Sequence, residues 1–149
     1  MRIALFSDVH GNLSAMEAVL ADIELQAPDL VAFAGDLCLF GPRPAECLRL
    51  VLDRRLPSVI GNTDAWIAGK GTPPERHAAV LEWTKSQVTV EELSRLGRLP
   101  FSLRVSPTSH ATDDLLIVHA NPRDVDGIIF PAEADQLAIW GRVRQPDAE

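Results

Sequence analysis

Three short apolar runs, separated by two amphipathic segments, dominate the amino-terminal part of the chain. The runs cover residues 2–6, 30–34 and 57–60. Each has the length of a buried β-strand rather than of a helix. The segments between them carry apolar residues at three- and four-residue spacing, which is typical of helices that bury one face. This alternation predicts an α/β fold with a parallel sheet and right-handed crossovers.

The helix boundaries and the second half of the chain follow from local signals. Asn12 or Ser14 would cap the first helix, and Pro44 would lie in the first turn of the second. Two further helical patterns follow a Gly-, Thr- and Pro-rich connection. The apolar segments on either side of a polar stretch then predict a hairpin, and a last helix is predicted near the end. These segments are, in order, residues 77–88, 90–96, 99–105 with 114–118, and 132–140.

Composition restricts the class of protein. With 149 residues, 46% of them apolar and 23% charged, the chain is typical of one globular domain. Its net charge of −7, from 14 Lys and Arg against 21 Asp and Glu, disfavours nucleic acid as a partner. No run approaches the roughly 20 apolar residues of a membrane span, so we expect a cytoplasmic protein without membrane contact. Cys38 and Cys47 are expected to be buried, reduced thiols.

Each predicted strand of the sheet is followed by a side chain of a metal-ligating type. These residues are Asp8 and His10, then Asp36, Asn62 and His119. Because the carboxyl ends of strands border the binding crevice of open α/β sheets, these side chains should converge there. We expect Asp8 and His10 to project to the same side of an extended chain. The mixture of carboxylate, imidazole and amide suits Mn, Fe, Zn or Ni.

Each of these residues also has a purely structural interpretation. Asp36 or Asn62 taken singly is more often a turn former or helix cap, and His119 alone is more often a hydrogen-bonded core residue. The five residues together favour the metal site, because the sequence Asp-x-His-Gly-Asn at residues 8–12 is rare by chance. His77 and His110 are expected to face solvent or to bond locally. The three tryptophans, Trp66, Trp83 and Trp140, are expected to be partly buried packing residues.

The same motifs resemble those of the calcineurin-like metallophosphoesterase superfamily. The matching sequences are Asp8-Val9-His10-Gly11-Asn12, Gly35-Asp36, Gly61-Asn62-Thr63-Asp64 and His119. The resemblance implies two packed mixed sheets flanked by helices. It also implies that Asp8 and His10 bind one metal, that Asn62 and His119 bind a second, and that Asp36 bridges the two. Asp8, Asp36, Asn62 and Asp64 would then form the catalytic set.

The activity implied by this resemblance is metal-dependent hydrolysis of phosphate mono- or diesters. A hydroxide that bridges two divalent transition-metal ions would attack phosphorus. Mn is the expected metal, with Fe, Zn or Ni as alternatives, and a small phosphate ester is the expected substrate. The alternative is an inactive or metal-binding remnant of a phosphoesterase that serves as an interaction module.

Three departures from the superfamily pattern qualify the resemblance. Thr63 stands where most members have a histidine that acts on the leaving group, which implies a weaker or more selective catalyst. Leu39 and Phe40 replace an Asp-Arg pair, which argues against protein phosphatase or diadenosine tetraphosphatase activity. The closing G-H-x-H motif does not follow His119. We therefore expect residues 1–149 to form a single, carboxyl-terminally truncated domain with an incomplete second sheet, whose open edge would pair copies of the chain.

Overall fold

The computed structural model describes residues 1–127, which contain four strands and five α-helices. In chain order these are β1 (Ile3–Phe6), α1 (Leu13–Gln26), β2 (Leu30–Phe33), α2 (Pro44–Asp53), α3 (Asn62–Ile67), α4 (Ala78–Gln87), α5 (Val90–Leu96), β3 (Ser102–Val105) and β4 (Leu115–Val118). Single turns of 3-10 helix cover Glu75–His77 and Ala111–Asp113. The helix predicted over residues 132–140 lies outside the described residues.

The first sheet is parallel, as the alternation predicts. β1 pairs with β2 so that Ile3 lies opposite Leu30. The third predicted strand, residues 57–60, is not a regular strand and forms a single parallel bridge between Ser58 and Phe33. Pro57 has no N–H to donate to β2, and on the side away from β2 the N–H of Ile60 donates to the carbonyl of Pro100, 2.9 Å away. The segment therefore lies beside β2 without extending its ladder.

The predicted hairpin forms the second sheet. β3 and β4 are antiparallel, with Ser102 opposite Val118, and they are the only strands of this sheet among residues 1–127. Side chains of the hairpin pack against one face of the first sheet and form a small apolar cluster. Its buried members are Ala32, Ala34, Val59, Val105 and Ile117. Two small sheets thus face each other.

The larger core lies on the opposite face of the first sheet. Successive residues of a strand point to opposite faces, so Phe33 points away from Ala32 and towards the helices. Phe33 is buried there among apolar residues of the helices and of the loop after β2, including Leu37, Leu39 and Leu48. Cys38 and Cys47 are both buried, as predicted, and they are not bonded to each other.

Two of the helices bear directly on the candidate site. Asn12 caps α1, and its side-chain oxygen accepts a hydrogen bond from the N–H of Ala15 at 3.1 Å. The short helix α3 begins at Asn62 and was not predicted, because its six residues are too few for an apolar period to be recognised.

Among residues 1–127, none of the helices is both long and apolar enough to cross a bilayer.

The helical core supplies a first prediction. Leu48 on α2 is 1% exposed, whereas Leu25 on α1 is 84% exposed. We expect Leu48→Ala to lower the free energy of unfolding by about 2–5 kcal/mol, because it removes buried methyl groups and leaves a cavity. The matched variant Leu25→Ala should change it by less than about 0.5 kcal/mol. Urea unfolding followed by circular dichroism measures both, and equal losses would contradict this assignment of the core.

Candidate metal centre

All five predicted ligands lie at one edge of the molecule, where β1, β2, β4 and the segment 57–60 end. They form two groups that share Asp36. The first group contains Asp8, His10 and Asp36, whose ligating atoms all lie within 4.8 Å of one another. His10 Nε2 is 3.7 Å from Asp8 Oδ1 and 3.6 Å from Asp36 Oδ2. The distances leave room for one cation between the three side chains.

The second group contains Asp36, Asn62 and His119. His119 Nε2 is 3.5 Å from Asp36 Oδ1 and 3.1 Å from Asn62 Oδ1. The two carboxylate oxygens of Asp36 therefore face different histidines. The side chain of Asp36 is 6% exposed, whereas that of Asp8 is 57% exposed, so the shared carboxylate forms the floor of the site. This arrangement allows Asp36 to serve both groups.

Backbone carbonyls determine which nitrogen of each histidine faces the site. His10 Nδ1 lies 3.1 Å from the carbonyl oxygen of Leu39, and His119 Nδ1 lies 2.7 Å from that of Ala34. Because a carbonyl oxygen only accepts hydrogen bonds, each neutral ring carries its proton on Nδ1 and presents the lone pair of Nε2 to the site. A histidine held in this way by a backbone carbonyl is oriented as metal-ligating histidines are.

The amide of Asn62 tests whether a cation fits this donor set. Its Oδ1 faces His119 Nε2 and Asp36, and all of these atoms are hydrogen-bond acceptors. A divalent cation would satisfy them together, and the mixture of oxygen and nitrogen donors suits a transition metal. Without a cation, rotation of the amide would bring its nitrogen to 3.1 Å from both His119 Nε2 and Asp36 Oδ2. The residues present therefore fit a metal ion.

The backbone that carries the ligands is strained. Asp8, His10 and Asp36 have φ of 56°, 49° and 64°, in the left-handed region that non-glycine residues seldom adopt. The expectation that Asp8 and His10 project from an extended chain is therefore wrong, although both side chains do reach the site. They converge because residues 8–11 form a turn that hydrogen bonds to the loop after β2. In one of these bonds the N–H of His10 donates to the carbonyl of Asp36, 3.0 Å away.

Asp64 holds two of the ligand loops together. Its Oδ2 accepts hydrogen bonds from the N–H groups of Asp36, at 2.9 Å, and Gly61, at 3.1 Å. Its Oδ1 accepts one from the N–H of Leu37 at 2.9 Å. The side chain is completely buried, so it has no surface to offer a substrate. These contacts indicate a positioning role for Asp64, whereas the resemblance implied a place in the catalytic set.

The environment of Asp64 also shifts its acidity. Burial raises the pKa of the carboxyl group to about 6, and the nearby charge of Asp36 acts in the same direction. The three backbone donors oppose this shift by stabilising the carboxylate.

The backbone at Gly61, which donates one of these hydrogen bonds, lies close to Asp36. A Cβ added at Gly61 would overlap Asp36 Oδ1, so glycine is required there.

Thr63, His110 and His77 were also singled out in the sequence, and they differ in how well they match expectation. Thr63 is buried, and its hydroxyl has no hydrogen-bond partner among residues 1–127. His110 is exposed, as expected. The prediction that His77 faces solvent or bonds locally is wrong: the ring is partly buried and packs against Phe40, with centroids 5.0 Å apart, and against Trp66. The periodicity of residues 77–88 gave no signal for these contacts, because they join the turn before α4 to the loop after β2 and to α3.

Comparisons with known proteins identify the family of this chain. The sequence matches the calcineurin-like phosphoesterase family over residues 1–148. It is 31% identical, over 144 residues, to an uncharacterised protein of Methanocaldococcus jannaschii, covering 93% of this chain and 58% of the relative. The crystal structure of a metallophosphoesterase from Sphaerobacter thermophilus is 36% identical, with a TM-score of 0.68, over 87% of this chain and 51% of that chain.

A structure from Pyrococcus horikoshii is similar in fold alone. It has a TM-score of 0.75 at 19% identity, over 96% of this chain and 65% of that chain. The present chain thus spans between half and two thirds of the length of these relatives.

The contacts of Asp64 predict the effect of a nearly isosteric substitution. In Asp64→Asn, the amide NH₂ would face at least one backbone N–H, leaving a buried donor unsatisfied. We expect the metal-free protein to lose about 1–3 kcal/mol of stability. We also expect Mn²⁺ affinity to fall roughly 10- to 100-fold, as for other residues that orient ligands. Unfolding and calorimetric titration measure these changes, with the exposed Asp22→Asn as the control. Parental Mn²⁺ affinity in Asp64→Asn would refute the positioning role.

Proposed function

Because the chain belongs to the calcineurin-like phosphoesterase family, we propose that it is a metal-dependent hydrolase of phosphate esters with a dinuclear site. The observation that carries this proposal is the position of Asp36, whose two oxygens face His10 on one side and His119 on the other. Asp8 and His10 would hold one ion, Asn62 and His119 the other, and Asp36 both. Mn²⁺ is the proposed metal, with Fe, Zn or Ni as alternatives.

The proposed ligands differ in how far their side chains are exposed to solvent, which suggests different roles. Asp36 and His119 are largely buried and would fix the positions of the ions, while Asp8 and His10 are more open and would form the side that a substrate approaches. When bound, the divalent ions would supply Lewis acidity, neutralising charge on the phosphate and lowering the pKa of a coordinated water. The lone pairs of His10 Nε2 and His119 Nε2 stay directed at the site because both Nδ1 protons are held by carbonyls.

The cysteines do not offer a covalent alternative. Burial raises the pKa of the Cys47 thiol to about 11 and that of the Cys38 thiol well above its usual range. Both would therefore stay protonated at neutral pH, whereas a cysteine nucleophile acts as the thiolate. This favours direct attack by water on a small phosphate mono- or diester, which is the substrate class we propose.

Loss of the shared carboxylate should be the most damaging change to metal binding. We expect Asp36→Ala to weaken Mn²⁺ binding roughly 100-fold or more and to remove the second binding event, because only Asp36 serves both groups. Asp8→Ala should weaken binding less and leave the event at the second group, because Asp8 belongs to the first group only. Calorimetric titration with Mn²⁺ decides between them, and Asp22→Ala on the surface of α1 is the control. Equal affinity in Asp36→Ala and the parent would show that the ligand assignment is wrong.

Turnover should depend on the metal. We expect slow hydrolysis of an aryl phosphate mono- or diester in the presence of Mn²⁺, loss of this activity after chelation, and recovery when Mn²⁺ is restored. Asp36→Ala, measured at the same protein concentration, should remain inactive under all three conditions. Mn²⁺ binding without turnover of any phosphate ester would instead favour a metal-binding interaction module.

A further inference from the structure

A group of aromatic rings adjoins the first ligand group. The ring of Phe40 lies 5.4 Å from that of His10 and 5.0 Å from that of His77, between centroids. His77 stacks on Trp66 at 6.1 Å, with an angle of 21° between the planes. We call Phe40, His77 and Trp66 the aromatic wall. It begins beside the ring of His10, a proposed metal ligand, and continues from Phe40 through His77 to Trp66.

Phe40 is held outward at a conformational cost. Its φ is 87°, in a region where a bulky residue is a genuine outlier, and such outliers concentrate at functional sites. The three preceding residues, Leu37, Cys38 and Leu39, are completely buried, whereas Phe40 is 47% exposed. Burying the ring in the adjacent core would be the favourable default for a phenylalanine. The loop therefore keeps an aromatic surface open beside the site.

The wall is built on the same loops as the ligands. Phe40 follows Asp36 in the loop after β2, and Trp66 lies one turn along the helix that begins at Asn62. His77 comes from the 3-10 turn before α4 and fills the space between the two other rings. Rings anchored in this way have a fixed position relative to a phosphate bound at the metal centre.

We propose that the aromatic wall binds the planar aromatic part of the substrate, so that the preferred substrates are phosphate esters of a nucleoside or an aryl alcohol. This inference rests on the proposed function, since it places the phosphate at the metal centre. An exposed aromatic ring offers stacking or edge-to-face contact to a second ring. Base and aryl rings share this chemistry, and the wall recognises the ring rather than its hydrogen-bonding edge.

Binding of matched phosphates to the Mn²⁺-loaded protein tests the proposal without relying on turnover. The probes are AMP, ribose 5-phosphate, phenyl phosphate and inorganic phosphate, titrated by calorimetry. We expect AMP to bind roughly tenfold more tightly than ribose 5-phosphate, which has the same phosphate and sugar but no base. Phenyl phosphate exceeding inorganic phosphate by as much as AMP exceeds ribose 5-phosphate would show that any planar ring suffices. A preference for AMP alone would assign the wall to nucleosides.

Two substitutions of Phe40 separate binding from folding. Phe40→Leu keeps apolar volume and removes the ring, while Phe40→Gly removes the side chain and relieves the left-handed strain, so this variant should fold. Both should abolish most of the preference for AMP and leave the affinities for Mn²⁺ and inorganic phosphate unchanged. Trp66→Leu should weaken the preference as well. The controls are Phe101→Leu and Trp83→Leu, whose side chains are also partly exposed but lie outside the wall.

The outcomes distinguish this proposal from the proposed function. Equal binding of AMP and ribose 5-phosphate by a protein that binds Mn²⁺ and phosphate would overturn the aromatic wall alone. An unchanged preference for AMP in both Phe40 variants would overturn it too. Failure to bind Mn²⁺ or phosphate at all would overturn the metal centre, and the wall with it.

Discussion

The carboxylate of Asp64 is the contact on which the geometry of the site depends. It accepts three backbone hydrogen bonds from two loops, and it has no access to solvent. Burying a charge is costly, which is why its pKa is raised to about 6 despite these donors. In return, Asp36 and Asn62 are held in one arrangement, since each lies on a loop that Asp64 binds. The relative position of the two ligand groups thus follows from one buried acceptor.

The ligands themselves are arranged unfavourably for an empty protein. Lone pairs of His10, His119 and Asn62 converge on the carboxylate of Asp36, and none of these groups donates to another in this orientation. Left-handed backbone at Asp8 and other ligands adds strain. The facing acceptors and the left-handed backbone occur at the same place, as is expected at a site where a bound ligand offsets their unfavourable energy. A divalent cation bound between these groups would relieve this electrostatic conflict.

The positions of the ligands along the chain could be predicted because they depend on local pattern. Short apolar runs indicated β1 and β2, the apolar segments on either side of a polar stretch indicated the β3–β4 hairpin, and polar residues at the strand ends indicated the site. The backbone conformation of the ligand loops did not follow from local pattern. Asp8 and His10 reach the same site through a left-handed turn rather than through an extended strand, because the turn is held by the loop after β2.

The sequence by itself determined the α/β architecture and which side chains could bind a metal, because strand periodicity and ligand chemistry belong to the residues themselves. Only the tertiary structure decided what Asp64 and His77 do. The partners of Asp64 lie 27 and 28 residues away, apart from one within its own turn. The two rings that His77 contacts lie in the loop after β2 and on α3. Burial and hydrogen bonding between distant loops are properties of the packed chain, and no local pattern encodes them.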